Sequence, residues 1–227
     1  MKFLTLSKFF LIFISPVLLF LFVSNLTAFD NSFYREKFSE YKIQQDLPQA
    51  NVIHEKVINY IKGKNDELPN QFNEREKHHL WDVRKFVYTF NNLMYILIAL
   101  FVMLSTISLY HLKINRMALN FFGKILFFGG LLTLIIALVL SILLSMNFST
   151  TFELFHKLFF ENGTYVFDPS KEIIVRLYPE QLFMDIGIKI LKGVVIASFI
   201  AGMPGLLLIY KSKNKKIKKE NKKLIEK

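Results

Sequence analysis

Apolar residues fall along this chain in four long blocks separated by polar stretches of unequal length. The blocks run from Phe9 to Phe29, Leu93 to Tyr110, Ile125 to Met146 and Gly193 to Tyr210. Each has about 18 to 22 residues, enough to cross a hydrocarbon layer of about 30 Å at 1.5 Å per residue. The pattern predicts four transmembrane helices and excludes soluble enzyme folds. Lys2 and Lys8 precede the first block, as in a secretory leader. Its apolar stretch exceeds a usual leader core, and Leu26-Thr27-Ala28 is a poor cleavage sequence, so it reads as a retained anchor. Gly202, Pro204 and Gly205 inside the fourth block predict a kink or an irregular packing surface.

The connection after the first block is too long for a plain turn and is expected to hold structure of its own. Helical periodicity from Val52 to Ile61, with Pro48 near its start and Gly63 just beyond its end, predicts one helix. Asn73-Glu74-Arg75-Glu76 predicts a second start, with Asn73 as the cap and Glu76 at the third helical position. Nothing breaks the pattern from there, so Glu74 to Tyr110 is expected to be one helix. After the third block, the aromatic density from Phe152 to Phe160 predicts an interfacial helix ending at Gly163. The stretch from Ile173 to Phe183 reads as a short strand or turn followed by a helix start at Pro179.

The resulting fold class is an all-α integral membrane protein with four transmembrane helices and a helical extracytoplasmic cap. Residues 1–29 form a cytoplasmic start and the first span, and 30–90 an extracytoplasmic helical segment. Residues 91–146 hold the second and third spans with a basic cytoplasmic loop. Residues 147–183 form an extracytoplasmic aromatic segment, 184–210 the fourth span and 211–227 a lysine-rich cytoplasmic tail.

Charge supplies the orientation. The chain carries 29 Lys and Arg against 18 Asp and Glu, a net +11. The excess lies at the N-terminus, in the loop with Lys113, Arg116 and Lys124, and in the tail from Lys211 to Lys227 with its nine lysines. Short basic flanks stay in the cytoplasm. Both termini are therefore expected inside, with the two larger, nearly neutral connections outside. A lysine run directly after a span is a topology signal and a contact for anionic membrane lipid, and no nucleic-acid partner is expected.

With no cysteine, disulfides, thiolate metal sites and a thiol nucleophile are excluded. On the helix from Glu74, the residues Glu76, His79, Asp82, Val83 and Phe86 share one face by their spacing. A histidine with carboxylates a turn before and a turn after is suited to act as a base, because Glu76 or Asp82 can orient the ring of His79. His78 lies about 100° round the helix and is assigned to the surface. His156 sits within an apolar aromatic face, where the neutral imidazole is favoured. Either a structural or a catalytic role fits it.

The motifs Glu74-Arg75-Glu76, His79-Leu80 and Asp82-Val83 stand before the second span. Phe155-His156, Phe159-Phe160, Phe167-Asp168-Pro169 and Tyr178-Pro179-Glu180 stand before the fourth. Together with the four-span plan they resemble the bacterial lipoprotein intramolecular transacylases, Lit. Tyr165, Glu172 and Leu182 stand where that pattern has Trp, Asp and an aromatic residue.

The resemblance implies transfer of the sn-2 acyl chain of a diacylglyceryl-modified bacterial lipoprotein to the amine of its own N-terminal cysteine. It implies a multi-pass protein of the bacterial cell membrane with its active site at the outer face. Neither cofactor nor metal is expected. His79 and His156 are the catalytic candidates, their two roles left open, with Glu76, Asp82, Asn73, Arg75 and Arg176 supporting. Phe155, Phe159, Phe160 and Tyr165 are the lipid contacts.

Two other classes compete. A metal-dependent lipid hydrolase would use His79, Asp82 and His156 as ligands, although their spacing is not HExxH. A non-enzymatic membrane partner or transport accessory would need neither histidine.

Overall fold

The structure is a computed structural model describing residues 2–161 and 163–225, with side chains as far as Asn214. The described residues form α1 (Lys2–Ala28), α2 (Asn31–Glu40), α3 (Ile43–Asp46), α4 (Ala50–Ile61), α5 (Glu74–Leu112), α6 (Arg116–Met146), α7 (Phe148–Phe159), α8 (Ile173–Leu177) and α9 (Glu180–Ile225). Among them α1, α5, α6 and α9 are long and apolar enough to cross a membrane. The protein is an all-α integral membrane protein with four transmembrane helices. The lysine-rich tail continues α9, and its side chains beyond Asn214 lie outside the described residues.

The chain divides into two compact units. One comprises residues 1–23, 93–140 and 191–227. Its helices approach closely through small residues, as expected where hydrocarbon gives no hydrophobic drive between them. A Cβ added at Gly205 would stand 2.6 Å from the backbone nitrogen of Phe127, and one at Gly123 would stand 2.9 Å from the carbonyl oxygen of Gly205. The surface expected around Gly202 and Gly205 is thus a backbone-to-backbone seam between α9 and α6. At Gly129 an added Cβ would meet Ser15 of α1 at 2.8 Å. Ser7 and Ser108 share a buried hydrogen bond at 3.0 Å. Phe13, Ile96, Val102 and Leu138 point outward and are exposed, which suits a surface covered by lipid.

The other unit comprises residues 24–92 and 141–190. It has a hydrophobic core of its own, in which Phe38, Val57, Phe72, Leu177 and Leu182 are almost completely buried. Asp30 caps α2 by accepting from the backbone N–H groups of Ser32 and Phe33 at 3.1 and 3.3 Å. It also accepts from Lys189 Nζ at 2.6 Å, which ties the start of α2 to α9 and holds the Asp30 carboxyl well below the usual range. Asp185 of α9 pairs with Lys37 at 2.9 Å and accepts from the Tyr41 hydroxyl. Helix α4 stops as its sequence predicts: Gly63 takes φ +70° and donates to the Tyr60 carbonyl at 3.0 Å.

Two expectations for the aromatic segment change. The stretch after Glu172 forms the short helix α8, where a strand or turn was expected. The Ile174 N–H in its first turn donates to the Glu76 carboxylate of α5. Helix α7 ends at Phe159, before the expected Gly163, because Phe160 is already extended at φ −129° and ψ 155°. That early stop turns the Phe160 ring toward α5.

Candidate functional site

Helix α5 starts with a closed capping box. The Asn73 side chain accepts from the Glu76 N–H at 3.0 Å, and a Glu76 carboxylate oxygen accepts from the Asn73 N–H at 2.7 Å. The other Glu76 oxygen accepts from the Ile174 N–H at the start of α8, at 2.7 Å. Glu76 is 1 % exposed. Both oxygens are committed to backbone, so Glu76 does not orient His79: it joins the start of α5 to α8. Asn73 likewise serves as the cap.

Arg75 has a tethering position. Its guanidinium donates to the Val166 carbonyl at 2.5 Å, lies 3.5 Å from a Glu172 oxygen and stacks 5.4 Å from the Phe167 ring centre. Glu172 in turn accepts from the Asp168 N–H at 2.5 Å. These contacts fasten the 166–172 segment to α5. Arg176 is exposed on α8 and makes no ion pair among the described residues.

The loop so fastened helps enclose two imidazoles. His79 of α5 and His156 of α7 are both buried, with stacked rings whose centres are 6.2 Å apart at 25°. Phe160 lies against both, at 5.1 Å from His79 and 5.4 Å from His156. Phe167 closes on His79 at 5.4 Å, and Tyr165 on His156 at 4.9 Å. Phe155 and Phe159 extend this aromatic wall through Phe86 and remain 39 % and 46 % exposed. The site therefore joins buried imidazoles to an open apolar surface.

The hydrogen bonds distinguish the two rings. His156 Nδ1 lies 2.8 Å from the Phe152 carbonyl oxygen one turn back. A carbonyl only accepts, so in the neutral ring Nδ1 carries the hydrogen and Nε2 presents its lone pair. His79 Nδ1 is buried and makes no hydrogen bond among the described residues. Burial lowers the pKa of His156, opposed by the Phe152 carbonyl. His79 lies ahead of the apolar run that opens at Leu93, and burial pushes it down to about 4, helped by His156 and opposed by Asp82. Both rings are neutral at pH 7.

Asp82 does not hydrogen-bond His79 either. One of its oxygens pairs with Lys85 at 2.8 Å, and the other lies 3.6 Å from Nδ1 of His78. Helical geometry accounts for this. His78 and Asp82 are four positions apart and about 40° from eclipsed, whereas His79 and Asp82 are three apart and about 60° from it. His78 is half-exposed and also lies against Trp81. Among the described residues, no group of three His, Asp or Glu side chains is arranged to hold one metal ion. The hydrolase reading of His79, Asp82 and His156 therefore has no geometric support.

A third histidine was not singled out from the sequence. His54 of α4 is 3 % exposed, with Nδ1 2.9 Å from the Tyr178 hydroxyl and its ring 4.2 Å from Tyr34. The signal was its place among the apolar positions Ile53, Val57 and Ile58 of an otherwise ordinary amphipathic helix.

The sequence model of a family described as lipoprotein intramolecular transacylase Lit matches residues 9–183. Among solved structures, the membrane-integral lipoprotein intramolecular transacylase Lit from Bacillus cereus is similar at a TM-score of 0.81 and 24 % identity, covering 92 % of this chain and 97 % of that one. Two further structures of that protein carry a histidine replaced by arginine or by alanine. Both align at a TM-score of 0.76 and 24 % identity, covering 93 % and 92 % of this chain and 94 % and 95 % of theirs. These likenesses show a common fold. A comparison with curated protein sequences gives no match.

Proposed function

The chain belongs to the lipoprotein intramolecular transacylase family, Lit, and from that premise we propose that it moves the sn-2 acyl chain of a diacylglyceryl lipoprotein to the amine of the lipoprotein's N-terminal cysteine. The observation that carries this reading is the stacked pair of buried, neutral imidazoles beside an exposed aromatic surface. His156 is the general base, because its Nδ1–H is held by the Phe152 carbonyl and its Nε2 is left to accept a proton.

In the reaction, the neutral α-amine attacks the ester carbonyl carbon and a C–N bond forms. The proton released from nitrogen passes to His156 Nε2. The bond from carbon to the glyceryl oxygen then breaks, and a proton returns to that oxygen, so none is gained or lost. His79, with a buried nitrogen that makes no hydrogen bond among the described residues, donates to the oxyanion or to the leaving oxygen. An α-amine titrates near 7.7 to 8.0, leaving about a tenth to a fifth neutral at pH 7. Ester and amine belong to one molecule, and orientation alone supplies up to about 7 to 11 kcal/mol. No covalent enzyme nucleophile is required.

Phe155, Phe159, Phe160 and Tyr165 are proposed to receive the acyl chain, and Arg176 is an exposed cation proposed to meet polar parts of the substrate. The distribution of charge supports a bacterial cell-membrane topology with both termini cytoplasmic and the histidine pair at the outer face.

The test mixes a lipoprotein bearing heavy acyl chains with an unlabelled lipoprotein of different sequence, then fragments both products by mass spectrometry. The expected result is an unchanged total mass with one chain moved from ester to amide. Heavy N-acyl on the unlabelled peptide, or a gain of one acyl mass, would overturn the intramolecular reading.

A further inference from the structure

The unit made of residues 1–23, 93–140 and 191–227 contains no Asp or Glu apart from Glu220 and Glu226, whose side chains lie outside the described residues. Its cations are nevertheless gathered. A pocket of about 380 Å³ is lined by Lys8 of α1, Arg116 and Lys124 of α6, and Lys213 of α9. The first three are partly buried, and among the described residues none of the four forms an ion pair. Four like charges around one concavity repel each other unless an anion sits among them. The pocket also takes in the first turn of α6, where the helix macrodipole is positive.

The remaining lining says which anion. Leu4, Leu112 and Phe121 form apolar walls, while the Asn120 amide, donating to the Ser212 hydroxyl at 3.0 Å, adds a polar patch between α6 and α9. A small inorganic anion uses the cations and leaves the apolar walls bare. A phosphodiester carrying glycerol and acyl chains uses both. Leu4 and Lys8 precede the first apolar block, Leu112 to Lys124 lie between the second and third, and Ser212 and Lys213 follow the fourth, so the pocket is built from residues that flank the apolar spans, where lipid headgroups stand.

We infer that this pocket is a binding site for the phosphate-bearing headgroup of an anionic phospholipid, separate from the histidine pair and independent of the acyl-transfer reading. The shared chemistry is a phosphate oxyanion, and the membrane lipid is its source.

The experiment uses the purified full chain and native mass spectrometry, with phosphatidylglycerol, phosphatidylcholine and inorganic phosphate as probes. The expected result is one tightly retained phosphatidylglycerol, with phosphatidylcholine retained far less. Each pocket cation is worth about a five-fold change in affinity, so Arg116→Gln with Lys124→Gln is expected to weaken phosphatidylglycerol retention about 25-fold. The matched control, Lys64→Gln with Lys192→Gln, removes the same charge at two exposed positions outside the pocket lining and is expected to leave retention within about two-fold of the original protein. Equal losses in the two double variants would show attraction by bulk charge and overturn the site. Displacement of the lipid by inorganic phosphate at similar concentration would overturn the lipid source. If the double pocket variant fails to fold, Lys8→Gln alone makes the same comparison at about five-fold, and no change there overturns the proposal.

Discussion

Two buried histidine clusters in the unit formed by residues 24–92 and 141–190 share a chemical state and differ in access. His54 and His79 are both driven down to about 4 by burial. His54 is enclosed by Tyr34, Phe38 and Tyr178, and the first two of these are themselves buried core residues. Its Nδ1 is satisfied by the Tyr178 hydroxyl. His79 instead stacks on a second imidazole and adjoins aromatic side chains that remain partly exposed. A depressed histidine pKa therefore marks both a core residue and a candidate base. What separates them is an adjoining open surface that a lipid chain can occupy.

The sharpest test of that contrast removes the proposed catalytic pair. His156→Ala and His79→Ala are each expected to lower conversion of lipoprotein to the lyso form by about 10² to 10⁴. Mass spectrometry of lipoprotein N-termini, normalised to folded protein in the membrane, reads this directly. Near-normal conversion by both variants would move the protein to the non-enzymatic class.

His54 should respond in the opposite way. His54→Phe keeps an aromatic ring in the cluster and strands the Tyr178 hydroxyl, at a cost of about 1 to 3 kcal/mol in stability. The pH dependence has a definite sign. The folded pKa is about 4 against 6.5 for the free group, so between those values the unfolded chain binds more protons. The stability tied to His54 is fully present above about pH 6.5 and is lost as pH falls toward 4. The His54→Phe variant is expected to show a flatter decline over that window, measured by thermal unfolding in detergent, with conversion per folded molecule far less affected than in the His156 variant. A large loss of conversion at unchanged stability would place His54 in the chemistry.

The smallest effect belongs to His78. Its half-exposed ring pairs with Asp82 at 3.6 Å, and His78→Ala is expected to change stability by less than about 0.5 kcal/mol and conversion very little. Equal losses at His78 and His79 would remove the reason for assigning a catalytic histidine to one face of α5.

These contrasts also show which features were legible from the chain alone. The span lengths, the Asn73–Glu76 box and the Gly63 stop are local, each set by residues within a few positions of one another, and they were read from spacing. The partner of Asp82 was local too. It was misread because helix angle was reckoned from His79 alone, although His78 lies nearer by the same rule. The second commitment of Glu76 is to Ile174, 98 residues away, and the Tyr178 partner of His54 is 124 away. Spacing within a helix carries no information about such pairs. Helix α2 had a local signal in Asp30 that the long polar connection concealed.

The glycine seam between α6 and α9 constrains how the protein is made. A translating ribosome delivers α1 and α6 well before α9, so Ser15 and Gly129 can meet while Gly123 still lacks the backbone it will face. Until Gly205 emerges, that face of α6 is a bare groove open to surrounding lipid or to neighbouring helices. His156 also lies beyond the third span, which puts completion of the imidazole pair late in synthesis. A chain halted after α6 would thus be anchored by three helices yet hold neither a finished seam nor a finished site.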